Sequence, residues 1–382
     1  MPSAPDRFLD RNNEPPGQPP VVVCVGVAGW KHRAVGRLVA GQDAHRMPRF
    51  VHDTASAIRL ARAGGGAVGV WPSRAPSDLA PRARTAGVPL VRIEDGFIRS
   101  AGLGAQCHAP ASIVLDRAGV HFDPSAPSDL EKLLTDGCFA PSLLKRADRL
   151  VRQIVDLGVT KYNLGGDAPC KALLESTGRR TVLVVGQVED DLSVRLGGAG
   201  VAGNLDLLRR ARAAEPGSLI LYRPHPDVEA GHRKGLLSDH EAMRHADHVV
   251  RGQALPALLA RVDAVHVLTS LTGFEALLRG REVVTHGQPF YAGWGLTRDL
   301  APPPRRGRRL SLAELAAAAL ILYPRYIDPR SGEPCSPEAL VARLGHPTAS
   351  RPALLPWFRG RLGKARLGLS RLRLASGQAA SA

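Results

Sequence analysis

Two uninterrupted apolar runs, VVVCVGV at 21–27 and TVLVVGQ at 181–187, each open an alternation of short strands and amphipathic helices. A run without polar alternation suits a strand covered on both faces, which is the setting of a parallel sheet. The first run is followed by AVGVW (67–71), PLVRIED (89–95) and SIVLD (112–116), with the helical pattern TASAIRLARAG (54–64) closed by a glycine. Helical patterns at 128–137 and 141–158 end this first series. After the second run come GNLDLLRRARAA (203–214), SLILYRPHP (218–226), ALPALLARVD (254–263), AVHVLTS (264–270), GFEALLRG (273–280) and EVVTHG (282–287). A repeated βα rhythm predicts the α/β class. Starting twice in one chain, it predicts two Rossmann-like domains facing a cleft, with ligands at the carboxyl ends of the strands.

The boundaries follow from the same pattern. Residues 1–19 are polar and Pro-rich and are expected to be a disordered leader. The first Rossmann-like domain spans 20–160 and the second 175–300, with the turn-rich YNLGGDAPC (162–170) between them. A C-terminal helical extension at 301–345 and a basic amphipathic or disordered tail at 346–382 complete the division.

Lys and Arg number 51 against 35 acids, a net charge of +16. An Arg-rich solvated surface gives this balance, and so does an anionic partner such as a nucleotide, a phosphate-bearing acceptor or a membrane surface. Aromatic residues are sparse and do not interleave with the basic ones, and no zinc-finger, OB-fold or RRM signature occurs, which argues against nucleic acid. Five cysteines without a CxxC pair indicate neither a disulfide framework nor a zinc site. No apolar signal core and no run of ~18 apolar residues is present, so a soluble cytoplasmic protein is expected.

Four segments carry candidate chemistry. In LYRPHPDV, Pro226 stiffens the turn after a strand and aims His225 outward, with Arg223 two residues earlier. An imidazole and a guanidinium at a strand end suit a phosphate, although an ordinary strand-to-loop histidine has the same context. In TSLTGFEAL, Ser270, Thr272 and Gly273 stand at a helix start, where unpaired backbone amides favour an anion. Glu275 is expected in that helix's first turn, complementing the dipole or accepting from ribose hydroxyls. In GQVEDDLSV, Gln187, Asp190, Asp191 and Ser193 occupy a strand-to-loop turn, and caps or solvated loops explain such acids better than a metal does. In RIEDGFIRSAGLG, Glu94 and Asp95 project to opposite faces of an extended strand. Arg99 is close enough to keep a carboxylate ionised, for base or nucleophile chemistry or as a plain structural pair.

Taken together and in order, EDGFIRSAGLG, QVEDDLSV, YRPHPDVEAGHRKG, TSLTGFEALLRG, PFYAGWGLTRD and LYPRYIDPRSGEPCSPE resemble the capsular polysaccharide β-Kdo transferases of the KpsC type, over roughly residues 20–340. The resemblance implies a GT-B-like glycosyltransferase, CMP-Kdo as donor and retention of anomeric configuration; no cofactor or metal is expected, since His225, Arg223 and a helix start already supply charge for the phosphate. It implies a phosphatidylglycerol-type glycolipid acceptor and a peripheral place on the anionic inner membrane surface. By the same resemblance Asp95 is the nucleophile, with Glu94 the alternative on the other strand face. His225 assists departure of the donor phosphate and Ser270 and Thr272 hold it. Glu275 engages the nucleoside, while Gln187, Asp191, Ser193, Arg223, Pro226 and Gly273 complete the donor side. Arg99, Tyr291 and Trp294 serve the acceptor or support the structure. Enzymes of this type carry two transferase modules in tandem, whereas each motif occurs once here, so a second Kdo transferase is an expected partner. A transferase for another nucleotide sugar and a non-catalytic binding subunit of capsule assembly are the competing readings.

Overall fold

The computed structural model describes residues 17–102, 107–163, 178–231 and 233–346. They divide into two units, one holding described residues 17–100, 109–162 and 313–346, the other holding the described part of 101–108 and 163–312.

The first unit is built on six strands: β1 (Val21–Val25), β2 (Arg49–Val51), β3 (Ala67–Val70), β4 (Leu90–Asp95), β5 (Ser112–Asp116) and β12 (Pro324–Tyr326). Their order is β12-β5-β4-β3-β1-β2. Residues alternate between two cores. Cys24, Val91 and Ile93 pack with Val35 and Leu38 of the helix His32–Ala40. Val23, Val25 and Val68 pack with Ala57, Ala61, Leu79 and Ala83 of the helices Thr54–Ala63 and Leu79–Thr85. Each fully buried Val or Leu contributes about 1.5–3 kcal/mol, and this two-sided burial is why β1 tolerates no polar residue.

Strands β1 to β4 are parallel, but β5 runs antiparallel to β4 and β12 antiparallel to β5. The expected βα rhythm therefore stops one strand early. A parallel partner needs a crossover of a dozen or more residues, usually helical, and no helix occurs among the described residues between Asp95 and Ser112.

The stretch expected as a helical extension is divided. Residues 301–312 stay with the second unit, while 313–346 return to the first. The return is fixed by Tyr323, whose hydroxyl donates to Asp116 Oδ2 at 2.7 Å, and by Arg146, whose Nε donates to Glu338 Oε1 at 2.6 Å.

The second unit is the doubly wound sheet that its sequence predicts. Strands β6 (Thr181–Val185), β7 (Leu219–Arg223), β8 (His248–Val249), β9 (Ala264–Val267), β10 (Glu282–Thr285) and β11 (Arg298–Asp299) are all parallel, in the order β11-β10-β9-β6-β7-β8. Val182, Val184, Ile220 and Tyr222 form its core with Leu207 and Leu208 of the helix Asn204–Ala214. Among the described residues no helix is long and apolar enough to cross a membrane.

Candidate functional site

The order of strands reverses direction around β1 in the first sheet and between β6 and β9 in the second. Loops leave opposite faces at such a point and open a crevice at the strand ends. Each unit gathers polar side chains there.

In the first unit, β1 leads into the short turn Gly29–Lys31, β3 ends before Trp71 and β4 ends on Asp95. The Lys31 Nζ donates to Asp95 Oδ1 at 3.1 Å and lies 3.3 Å from Oδ2. It also stands 3.6 Å from the centroid of the Trp71 ring. From the other side Arg99 Nε donates to Asp95 Oδ2 at 2.7 Å, while its Nη1 donates to Ser100 Oγ. Arg99 has no exposed surface, whereas the Asp95 side chain keeps 17%. Close approach of β5 to this strand end requires Gly96, because a Cβ there would overlap Ser112 Oγ.

Burial by itself would raise the Asp95 pKa, but the charges of Lys31, Arg99 and Lys161 outweigh it and hold the carboxyl below the usual range. Glu94 is its opposite. Burial, reinforced by the charge of Asp95, pushes Glu94 up to about 7. The two carboxyls leave the strand on opposite faces, yet Glu94 Oε1 turns back to accept from the Asp95 amide at 2.9 Å. Adjacent carboxyls pushed apart in this way are one permanently ionised group and one proton carrier near neutrality.

In the second unit, Gln187 and Thr269 bridge the switch point in both directions. Gln187 Nε2 donates to Thr269 Oγ1 at 2.9 Å, and the Thr269 amide donates to Gln187 Oε1 at 2.7 Å. Asp191 caps the helix Leu192–Gly197, accepting from the amide and the hydroxyl of Ser193. Asp190 pairs with Arg233 at 3.0 Å. Glu189 accepts from the Asn204 amide, so all three acids of that turn have structural partners.

His225 caps the short helix Pro226–Glu229. Its Nδ1 accepts from the Asp227 amide at 3.1 Å, and Pro226 occupies the first helical position, where no amide is needed. Arg223, at the end of β7, carries a buried Nη1 with no hydrogen-bond partner. Burial lowers its pKa against the raising charges of Glu229 and Glu275.

Ser270 caps the helix Leu271–Leu277, its hydroxyl accepting from the Thr272 amide at 3.2 Å. Glu275 lies beyond the first turn, which holds no acid, and is 6% exposed. The expected first-turn dipole role is thus corrected: this is an acid packed inside the unit, in the electrostatic range of Arg223. Gly273 gives room to Tyr291, since a Cβ would strike its hydroxyl, which donates to the Ser270 carbonyl. Tyr291 and Trp294 are buried, with the Trp294 Nε1 donating to the Phe290 carbonyl at 2.9 Å.

Asp95, Glu94 and Arg99 thus meet in the first unit, joined by Lys31 and Lys161, which the spacing of motifs does not reveal. The second unit brings Gln187 and Ser193 to Thr269, while Ser270 and Thr272 start the next helix. Lys31 has one readable signal: it falls in the loop after the first buried strand of a doubly wound sheet.

Comparison with known proteins places these sites in context. The family described as "Capsule polysaccharide biosynthesis protein" matches residues 66–158 and 159–326. Capsule polysaccharide modification protein LipA of Neisseria meningitidis serogroup A is 40% identical over 324 residues, covering 84% of this chain and 45% of LipA. Lipopolysaccharide-processing protein LpsZ of Rhizobium meliloti is 48% identical over 241 residues, 63% of this chain and 54% of LpsZ. The chain spans about half the length of these curated relatives. Among solved structures, the β-Kdo 2,4 transferase of Thermosulfurimonas dismutans KpsC aligns with TM-score 0.73 and 32% identity, covering 85% of this chain and 98% of that one. The β-Kdo 2,7 transferase of the same KpsC aligns with TM-score 0.68 and 31% identity, over 85% and 98%. The fold is accordingly α/β and GT-B-like, and the chain belongs to the KpsC-type family of capsule polysaccharide biosynthesis proteins.

Proposed function

We propose that the chain is a retaining β-Kdo transferase that uses CMP-Kdo to build a Kdo linker on a lipid acceptor for capsular polysaccharide. The observation that carries the reading is Asp95, a carboxylate kept ionised by two cations at the carboxyl end of β4. Nucleophilic glycosyl transfer requires a carboxylate of this kind, and two successive displacements give net retention.

In this account Asp95 attacks the anomeric carbon of the donor and CMP departs. With Nδ1 accepting from the Asp227 amide, the neutral His225 ring carries its hydrogen on Nε2 and donates a hydrogen bond to the departing phosphate while keeping that proton. Arg223, Ser270 and Thr272 serve the same phosphate, and Glu275 serves the nucleoside. Gln187, Asp191, Ser193, Pro226 and Gly273 hold the loops that carry these groups. Glu94, poised near 7, takes the proton of the incoming acceptor hydroxyl. In this account the departing phosphate is stabilised by His225, Arg223 and the helix start at Ser270, with no divalent metal invoked. The acceptor is a phosphatidylglycerol-type glycolipid at the cytoplasmic side of the inner membrane, and a second Kdo transferase supplies the alternate linkage.

The test is release of CMP from CMP-Kdo by the purified full chain with a Kdo-terminated glycolipid. Transfer from CMP-Kdo and not from UDP-sugars supports the reading. Preference for another nucleotide sugar, or binding without turnover, replaces it with one of its two competitors.

A further inference from the structure

Lys31 has no hydrogen left for a substrate. An ammonium has three N–H donors. Here two meet the Asp95 oxygens and the third faces the Trp71 ring, in a residue that is 8% exposed. Trp71 is itself buried at the end of β3, so the ammonium is held from two adjacent strand ends. Arg99 reaches only Oδ2, which leaves Lys31 as the one cation on Oδ1 among the described contacts. Lys31 therefore acts on transfer through this carboxyl pair, contacting Asp95 and lowering the pKa of Glu94 by its charge.

We propose that Lys31 is a positioning residue for the second displacement, drawing Asp95 back from its sugar-bound form to the free carboxylate. This rests on Asp95 being the nucleophile. In the first step an Asp95 oxygen supplies the electron pair for a bond to the anomeric carbon, and the bond from that carbon to the phosphate oxygen breaks, its pair leaving with CMP. Asp95 is then a neutral ester facing Lys31, Arg99 and Lys161. In the second step the acceptor oxygen bonds to the anomeric carbon, the hydroxyl proton passes to Glu94, and the bond to Asp95 breaks with its electron pair returning to the carboxylate. The cations favour the state in which Asp95 is charged, so they oppose the resting ester and promote its breakdown. The groups facing Asp95 are Lys31 from the turn after β1, Glu94 on its own strand, Arg99 from the following loop, and Lys161 beyond the helix Pro141–Asp156.

A simple brace and a residue of this kind give opposite results. Intact mass is read during turnover with CMP-Kdo and acceptor, each variant on the alkaline plateau of its own pH–rate profile, because loss of the Lys31 charge also raises the Glu94 pKa. Lys31→Met is expected to raise the fraction of protein carrying one Kdo several-fold above wild type while slowing transfer. Lys31→Arg restores both values, and the acid limb of the pH–rate profile moves upward in Lys31→Met alone. Lys31→Gln, a neutral donor, gives the same direction should the Met variant fail to fold. An adduct fraction equal to or below wild type, in a variant that keeps its melting temperature and CMP binding, overturns the proposal. A wild-type adduct mapped to a residue other than Asp95 overturns the nucleophile assignment itself, a separate outcome.

Discussion

The imidazole of His225 is a helix cap as well as a candidate hydrogen-bond donor to the departing phosphate: its Nδ1 accepts from the Asp227 amide at 3.1 Å, which leaves the hydrogen on Nε2. The two roles are separable. Asn supplies a capping oxygen but no second ring nitrogen. His225→Ala is expected to lose about 1 kcal/mol of stability through the cap and ~10²–10⁴-fold in transfer. His225→Asn is expected to recover the melting temperature without the activity. Paired calorimetry and CMP-release assays decide it, and an active Asn variant would remove the Nε2 donor role.

Asp95→Asn leaves Lys31 and Arg99 without their common counter-charge. Breaking a buried pair by removing one partner costs about 3–5 kcal/mol, and the partial exposure of Asp95 places this case at the low end. Transfer is expected to vanish while CMP affinity, which the proposed function assigns to the second unit, stays within a few-fold of wild type. Loss of CMP binding in a folded variant would contradict this division of roles.

The second unit contains a buried histidine pair: His266 Nδ1 and His286 Nε2 are 3.1 Å apart, and both rings are almost fully buried. Burial pushes each pKa down to about 4. The unfolded chain, with histidine near 6.5, binds more protons between those values. Stability is therefore full above pH 6.5 and declines as pH falls toward 4, by a few kcal/mol. A melting-temperature series over pH is expected to show this fall. A His266→Gln/His286→Gln double variant should flatten it.

Gly273→Ala drives a methyl into the Tyr291 hydroxyl, which is anchored on the Ser270 carbonyl. Overpacking of this kind costs about 1–3 kcal/mol. Because the strain falls on the Ser270 turn, CMP affinity should weaken along with stability, which titration calorimetry reads directly. Unchanged affinity would separate that turn from the donor site.

Residues 351–382 lie outside the described residues, but their sequence holds Arg359, Arg361, Lys364, Arg366, Arg371 and Arg373 beside Leu354, Leu355, Trp357 and Phe358. Each basic residue near an anionic surface contributes ~1 kcal/mol. Deleting 351–382 is expected to abolish sedimentation with anionic liposomes and to spare transfer to a short soluble acceptor. Equal sedimentation of both proteins would assign the membrane contact elsewhere.

Much of the fold is readable because buried parallel strands leave an apolar signature. VVVCV, LVRI and TVLVV are strands where their patterns place them, and the carboxylates of Glu94 and Asp95 sit at the strand end that the motif suggests. The direction of β5 is not readable from its own residues. It follows from the missing crossover helix before it. Strand β12, with only Pro324, Arg325 and Tyr326, is too short to leave a pattern, and it pairs with a strand some two hundred residues earlier. The pairing of Lys31 with Asp95 is not readable for a similar reason, since the two are 64 residues apart and no spacing rule links loops of different strands. Glu275 lies two residues deeper in its helix than the pattern suggests, because the helix starts at Leu271 and not at Gly273.

The most direct test of the central claim is peptide mapping of the full chain after incubation with CMP-Kdo in the absence of acceptor. The account predicts a mass gain of one Kdo unit on the peptide containing Asp95, with release of one CMP per protein, and no gain in Asp95→Asn. A modified Glu94, a modified residue anywhere else, or turnover to product with no adduct at any time point would contradict it.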